Sequence, residues 1–181
     1  LSTNNGISWA SANTGLTNTI VTTVTSSGTN LFASTFSGDV FVSTNSGASW
    51  IVAIIGLTST NIGALLAYGS TLLAGTSGAG IFLSTNNGAS WISGNTGLVS
   101  NVNALATNGT SLFAGTYGGG VFVSDNNGSS WTPANVGLTN NNVWALVFNG
   151  TNLFAGTDGG VFLSTNKGTT WTRVSTGLGN S

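Results

Sequence analysis

Three observations predict an all-β fold made of repeated four-stranded sheets. An eight-residue turn closed by Trp recurs along the 181-residue chain, as STNNGISW at 2–9, STNSGASW at 43–50, STNNGASW at 84–91, SDNNGSSW at 124–131 and STNKGTTW at 164–171. Its Trp falls at 9, 50, 91, 131 and 171, a period of 40 or 41 residues. Between these turns lie short apolar runs punctuated by Gly, with no helical periodicity. Sheets of four strands repeating every 40 or so residues predict a β-propeller, in which radially stacked sheets cover one another's faces. A β-solenoid is the rival, but its coils are shorter and lack a hairpin signal at every strand end.

The unit 101–138 shows how each element is read. VNALAT (102–107) is the first strand. Asn108-Gly109 follows, a dipeptide suited to two-residue hairpins because both positions tolerate positive φ. SLFAGT (111–116) is the second strand, the glycines 118–120 turn the chain, and VFVS (121–124) is the third. The octapeptide turns again at Asn127-Gly128, and SWTPA (130–134) is the fourth strand. The same beat runs through LFAST, LLAGT and LFAGT, through VFVS, IFLS and VFLS, and through a Gly-Leu pair at 15–16, 56–57, 97–98, 137–138 and 177–178.

The chain is therefore one domain, 1–181, with complete repeats at 19–57, 61–98, 101–138 and 142–178. Residues 1–16 supply only the back half of a further blade. Four complete blades and a half blade fit a five-bladed ring or part of a larger one. The half unit reads as a fragment boundary, a two-stranded blade, or a hairpin awaiting strands from a second chain. Unpaired strand edges favour such pairing. There is no start Met and no leader pattern, as expected of a mature or excised piece.

Composition narrows the function. Only five residues are charged, Asp39, Asp125, Asp158, Lys167 and Arg173, where an ordinary domain would carry about a quarter. Two cations cannot form a phosphate-binding patch, which argues against nucleic acid and anionic membrane surfaces. No apolar run approaches the roughly 20 residues of a spanning helix. The absence of Cys and His removes disulfides, thiolate or imidazole metal ligands, and a Ser-His-Asp triad. No cofactor is implied. Thr, Asn, Gly and Ser in place of charge suit an extracellular or cell-surface setting, bacterial by composition.

The pattern Ser-x-Asn-x-Gly-x-x-Trp resembles the Asp box, also called the bacterial neuraminidase repeat. Its copies here are Ser2, Asn4, Gly6, Trp9; Ser43, Asn45, Gly47, Trp50; Ser84, Asn86, Gly88, Trp91; Ser124, Asn126, Gly128, Trp131; and Ser164, Asn166, Gly168, Trp171. The resemblance implies a β-propeller in which the box joins the third and fourth strands of each blade. It brings in sialidases, sortilin-type receptors, xyloglucan-degrading enzymes and photosystem assembly factors. The third position here is always Asn. A short side-chain oxygen still accepts backbone N–H groups of its own turn, without an anion. The Gly takes angles a Cβ would forbid, and the Trp is expected to pack against its own and the next blade. The boxes are read as structural.

The catalytic sets that the resemblance implies are missing. Sialidase chemistry uses three Arg and a Tyr–Glu pair, and this chain has one Arg and no Glu. Glycosidases need two carboxylates roughly 5–10 Å apart. Asp39 and Asp158 occupy second-to-third-strand turns and would meet only if ring closure made their units neighbours; Asp125 sits at a spacer position of a box. The expectation is a non-enzyme with no catalytic or metal residues.

Residues that break the repeat are the candidate binding positions. Phe36, Tyr117 and Asp158 occupy the second-to-third-strand turn among small residues. An aromatic beside Gly on a rim suits stacking on a sugar ring; drift of turn sequences explains the same residues. Trp144, the one Trp outside the boxes, starts the first strand of its unit, where it would plug the central channel or face a ligand. The sequence thus predicts a non-catalytic extracellular scaffold or recognition module for a surface protein or glycan. The alternatives are a lectin-like propeller and a homo-oligomer pairing through its incomplete blade. Three Asn-Gly-Ser/Thr sequons, at 108, 127 and 149, are read first as turns.

Overall fold

The computed structural model describes residues 1–58, 61–98 and 101–177. Among them, sixteen strands build four antiparallel sheets of four, each a simple meander. Blade I comprises β1 (Val21–Ser27), β2 (Asn30–Thr35), β3 (Val40–Ser43) and β4 (Ile51–Val52). Blade II comprises β5 (Ile62–Tyr68), β6 (Thr71–Thr76), β7 (Gly80–Ser84) and β8 (Ile92–Ser93). Blade III comprises β9 (Asn101–Thr107), β10 (Leu112–Tyr117), β11 (Gly120–Ser124) and β12 (Thr132–Pro133). Blade IV comprises β13 (Val143–Asn149), β14 (Asn152–Thr157), β15 (Gly160–Ser164) and β16 (Thr172–Arg173). The described residues form no helix, so no helix is long and apolar enough to cross a membrane.

The four sheets differ from the strands read in the sequence at two local points. The fourth strand is two residues long, not five, because the Trp before it turns its backbone N–H away from its own sheet. Trp131 N donates to Thr96 O of the preceding blade at 2.8 Å, and only Thr132 and Pro133 pair with β11. The Asn108-Gly109 turn is also wider than the expected two-residue hairpin. Thr107 pairs with Leu112, and Asn108 Oδ1 accepts the N–H groups of Thr110 and Ser111. Of the two turn residues only Gly109 has positive φ. In blades I, II and IV the two-residue hairpins do form, with Gly28, Gly69 and Gly150 first in the loop at φ 56–60°.

Three apolar cores lie between the blades. Phe32, Val40 and Ala53 of blade I pack on Ile62, Leu72 and Trp91 of blade II. Leu73, Ile81 and Leu98 of blade II meet Val102, Leu112 and Trp131 of blade III. Phe113, Val121 and Ala134 of blade III meet Val143, Leu153 and Trp171 of blade IV. Contacts therefore run I–II–III–IV through the innermost strands β1, β5, β9 and β13. Blades II and III have a neighbour on each side, which is what buries both of their faces.

Residues 1–16 form no strand, although the sequence marks them as half a blade. Their turn folds like the other four and is closed by paired backbone bonds between Leu1 and Ala10. Segment 12–16 covers part of blade I, where Leu16 packs on Ala33, Phe41 and Trp50. Leu178, the last Gly-Leu partner, lies outside the described residues.

Candidate functional site

Every octapeptide folds alike, and the Asn is its hub. In blade III, Ser124 Oγ donates to Asn126 Oδ1 at 2.9 Å and accepts Gly128 N–H at 2.9 Å. Asn126 Oδ1 also accepts Ser130 N–H at 2.9 Å, while its Nδ2 donates to Ser130 Oγ at 2.8 Å. The same bonds recur around Asn4, Asn45, Asn86 and Asn166. The position before each Gly is left-handed as well: Asn5, Ser46, Asn87, Asn127 and Lys167 have φ of 56–58°. Ser2, Ser43, Ser84, Ser124 and Ser164 are thus consumed within their own turns.

The Trp that ends each of the last four turns docks on the segment before its own blade, not on the next. Indole N–H groups of Trp50, Trp91, Trp131 and Trp171 donate to Ala12, Ala53, Gly94 and Ala134 carbonyls at 2.7–3.0 Å. Their backbone N–H groups bond Thr14, Ile55, Thr96 and Val136 carbonyls, all at 2.8 Å. This contact explains the Gly of each Gly-Leu pair. A Cβ on Gly15, Gly56, Gly97 or Gly137 would lie 2.1–2.3 Å from the carbonyl oxygen of that Trp. The sequence shows the Gly-Leu beat but not this cause, because the partner is about 35 residues away.

Three of the four repeat-breaking residues converge at the seam of blades III and IV. Tyr117, at the end of β10, and Trp144, near the start of β13, place their ring centroids 5.8 Å apart at 60°. Both are half exposed, at 52% each. Trp144 Nε1–H donates to Asp158 Oδ1 at 2.5 Å, and Asn142 Nδ2 donates to Asp158 Oδ2 at 2.8 Å. Asn142 Oδ1 in turn accepts Gly118 N–H at 2.9 Å, tying the two blades' turns together. The Asn142 and Trp144 hydrogen bonds stabilise the ionised form and hold the Asp158 carboxyl below the usual aspartate range. Trp144, expected to plug the central channel or face a ligand there, lies in β13 with its indole N–H committed to Asp158.

The fourth residue stands apart. Phe36 is 69% exposed in blade I and donates its N–H to Ile20 O. Asn142 is the site residue that sequence reading missed. It aligns with Asn61, and each offers a backbone carbonyl to the turn after its blade's second strand: Asn61 to Ser77 N in the β6–β7 turn and Asn142 to Asp158 N in the β14–β15 turn. As part of the repeat it carries no signal; only in blade IV does its side chain bridge a carboxylate.

The other carboxylates are engaged elsewhere. Asp39 accepts Ser37 Oγ in blade I, and Asp125 accepts Ser111 Oγ in blade III. Among the described residues no group of three acidic, His or Cys side chains gathers around a point. On the opposite rim, an open groove of about 630 Å³ lies between Asn108, Thr110, Gly150, Thr151 and Lys167. None of its lining residues is aromatic.

No protein-family model and no curated protein matches the chain. Solved structures do match. An ancestral GH74 enzyme superposes with a TM-score of 0.72 at 24% identity, over 87% of this chain and 24% of the enzyme. The extracellular domain of a protein described as a one-component system of B. thetaiotaomicron gives 0.69 at 21% identity, over 83% of this chain and 22% of its own. The computationally designed Ika4 protein gives 0.66 at 17% identity, over 83% of this chain and 92% of the design. This chain spans about a quarter of the length of the enzyme and of the extracellular domain. These likenesses show the fold, an all-β propeller type.

Proposed function

We propose that the chain is a non-catalytic recognition module built on Asp-box repeats. It acts outside the cell or on a bacterial surface, and binds neutral carbohydrate at the Tyr117–Trp144–Asp158 rim. The carrying observation is the convergence of two half-exposed aromatic rings and a fixed carboxylate across one blade seam. Exposed rings offer apolar faces to the C–H face of a sugar. The Asp158 carboxylate, oriented by Trp144 and Asn142, keeps acceptor capacity for sugar hydroxyls. Its negative charge disfavours uronic and sialic acids. One carboxylate cannot supply both acid and base, which supports recognition over hydrolysis. The extracellular domain among the similar structures supports the location.

A glycan array followed by calorimetry tests the reading. Neutral oligosaccharides should bind, and Tyr117→Ala or Trp144→Ala should weaken binding about tenfold or more with folding intact. A blank array, or binding indifferent to both substitutions, refutes it. Turnover of a glycoside lost in Asp158→Asn would refute the non-catalytic part.

A further inference from the structure

The seams between consecutive blades are bridged at their hairpin end in two cases and left open in the third. The bridging position is the residue before the hairpin Gly. Ser27 Oγ donates to Gly69 O of the next blade at 3.4 Å. Tyr68 Oη–H points at Gly109 O and Thr110 O of the next blade, at 3.4 and 3.5 Å. Asn108 holds the same place in blade III but turns back on its own wider loop. Its Oδ1 accepts the Thr110 and Ser111 N–H groups and the Thr110 hydroxyl. The equivalent acceptor in blade IV is Gly150, and the groove of about 630 Å³ lies between Asn108 and Gly150.

The octapeptide turn that forms the other wall breaks the repeat at the same seam. Thr165 and Lys167 stand where the turn of blade III has Asp125 and Asn127. Lys167 is the one Lys of the chain, and its φ is +57°, a left-handed backbone that Asn tolerates better than Lys. Three other turns carry Asn here, as Asn5, Asn87 and Asn127. None of the groove's lining residues is acidic. Asp39 and Asp125 bond Ser37 and Ser111, and Asp158 bonds Asn142 and Trp144. The walls all come from blades III and IV, which face each other within the chain.

We infer that this groove is a second binding site, which takes the carboxylate of an acidic sugar on Lys167. The ammonium pairs with the carboxylate, and the hydroxyls of Thr110, Thr151 and Thr165 serve the ring hydroxyls. The Asn108 side chain adds an amide donor, since its bonds above use only Oδ1. A single lysine balances one negative charge. A uronate carboxylate carries one, whereas a phosphate monoester carries about −1.5 to −2. The volume falls within the roughly 300–1,000 Å³ of small-molecule sites. The two rims then select by opposite charge: Asp158 repels the acids that Lys167 attracts. The inference stands independently of what the Tyr117–Trp144–Asp158 rim binds.

Backbone amide resonances of the 181-residue chain, titrated with digalacturonate at low ionic strength, test it. The Thr110, Thr151 and Lys167 amides should shift saturably. Lys167→Asn should weaken binding about three- to fivefold, as expected for a partly exposed ion pair. That variant installs the residue of three other turns, so the fold is kept. Salt near 1 M, where the Debye length is about 3 Å, should bring the wild type down to the variant's affinity. The methyl ester of the disaccharide should bind the wild type only as well as digalacturonate binds Lys167→Asn. Tyr117→Ala, at the opposite rim, should change nothing, which separates failure here from failure of the rim reading. No shift at these amides, an affinity indifferent to Lys167→Asn, or an ester that binds as well as the acid overturns the inference. So does acetate or inorganic phosphate binding the groove as tightly as digalacturonate, which would mark a bare anion site.

Discussion

Replacing Gly97 by Ala probes the joints from which the molecule is built. Gly97 has φ of +83°, where an L side chain costs about 1–2 kcal/mol. The new Cβ would also stand 2.1 Å from Trp131 O and 3.2 Å from its carbonyl carbon, both backbone atoms. Reaching ordinary contact requires β12 to retreat by about 1 Å. That breaks the 2.8 Å bond from Trp131 N to Thr96 O, worth about 1 kcal/mol. It also loosens the Trp131 ring from the core of blades II and III, at about 2–3 kcal/mol. The expected loss is about 4–6 kcal/mol. Gly177→Ala is the internal control: its φ is +88°, but no described atom is near, so about 1–2 kcal/mol is expected at concentrations where the chain is monomeric. Urea unfolding of both variants, followed by Trp fluorescence, gives the difference. Equal losses would refute the claim that the Gly-Leu pair exists to admit the next blade's Trp.

Two further predictions concern the turns and the rim. Asn126→Asp should leave stability within about 0.5 kcal/mol, since the Ser130 hydroxyl can donate where Asn126 Nδ2 did; Asn126→Ala removes the acceptor of Ser130 N–H and should cost about 1–2 kcal/mol in the same urea assay. At the rim, the hydrogen bonds lower the Asp158 pKa in the folded chain, so their contribution is full above the ordinary aspartate value of about 4 and is lost as pH falls through the lowered one. Glycan affinity should therefore stay constant from neutrality to about pH 4 and fall below it, with Asp158→Asn abolishing that dependence.

The repeat made the sheets legible, because four strands and their turns recur with identical spacing. What remained hidden depends on contacts between units. Trp131 reads as the head of a strand, but its N–H groups serve the preceding blade, which shortens that strand and reverses the expected direction of its contact. The half unit carries every local signal of a hairpin, yet forms no strand among the described residues, because no third strand lies beside it. At the rim, Tyr117, Asp158 and Trp144 were visible as departures from the repeat. Their meeting across the III–IV seam was not, and Asn142 was concealed by conforming to the repeat.

Indole N–H resonances during titration with a neutral oligosaccharide test the central claim most directly, because they separate the structural Trp from the functional one. The account predicts a saturable shift at Trp144, with Trp50, Trp91, Trp131 and Trp171 unmoved in their joints. Shifts confined to those four, or none at Trp144 while sugar binds, would contradict it.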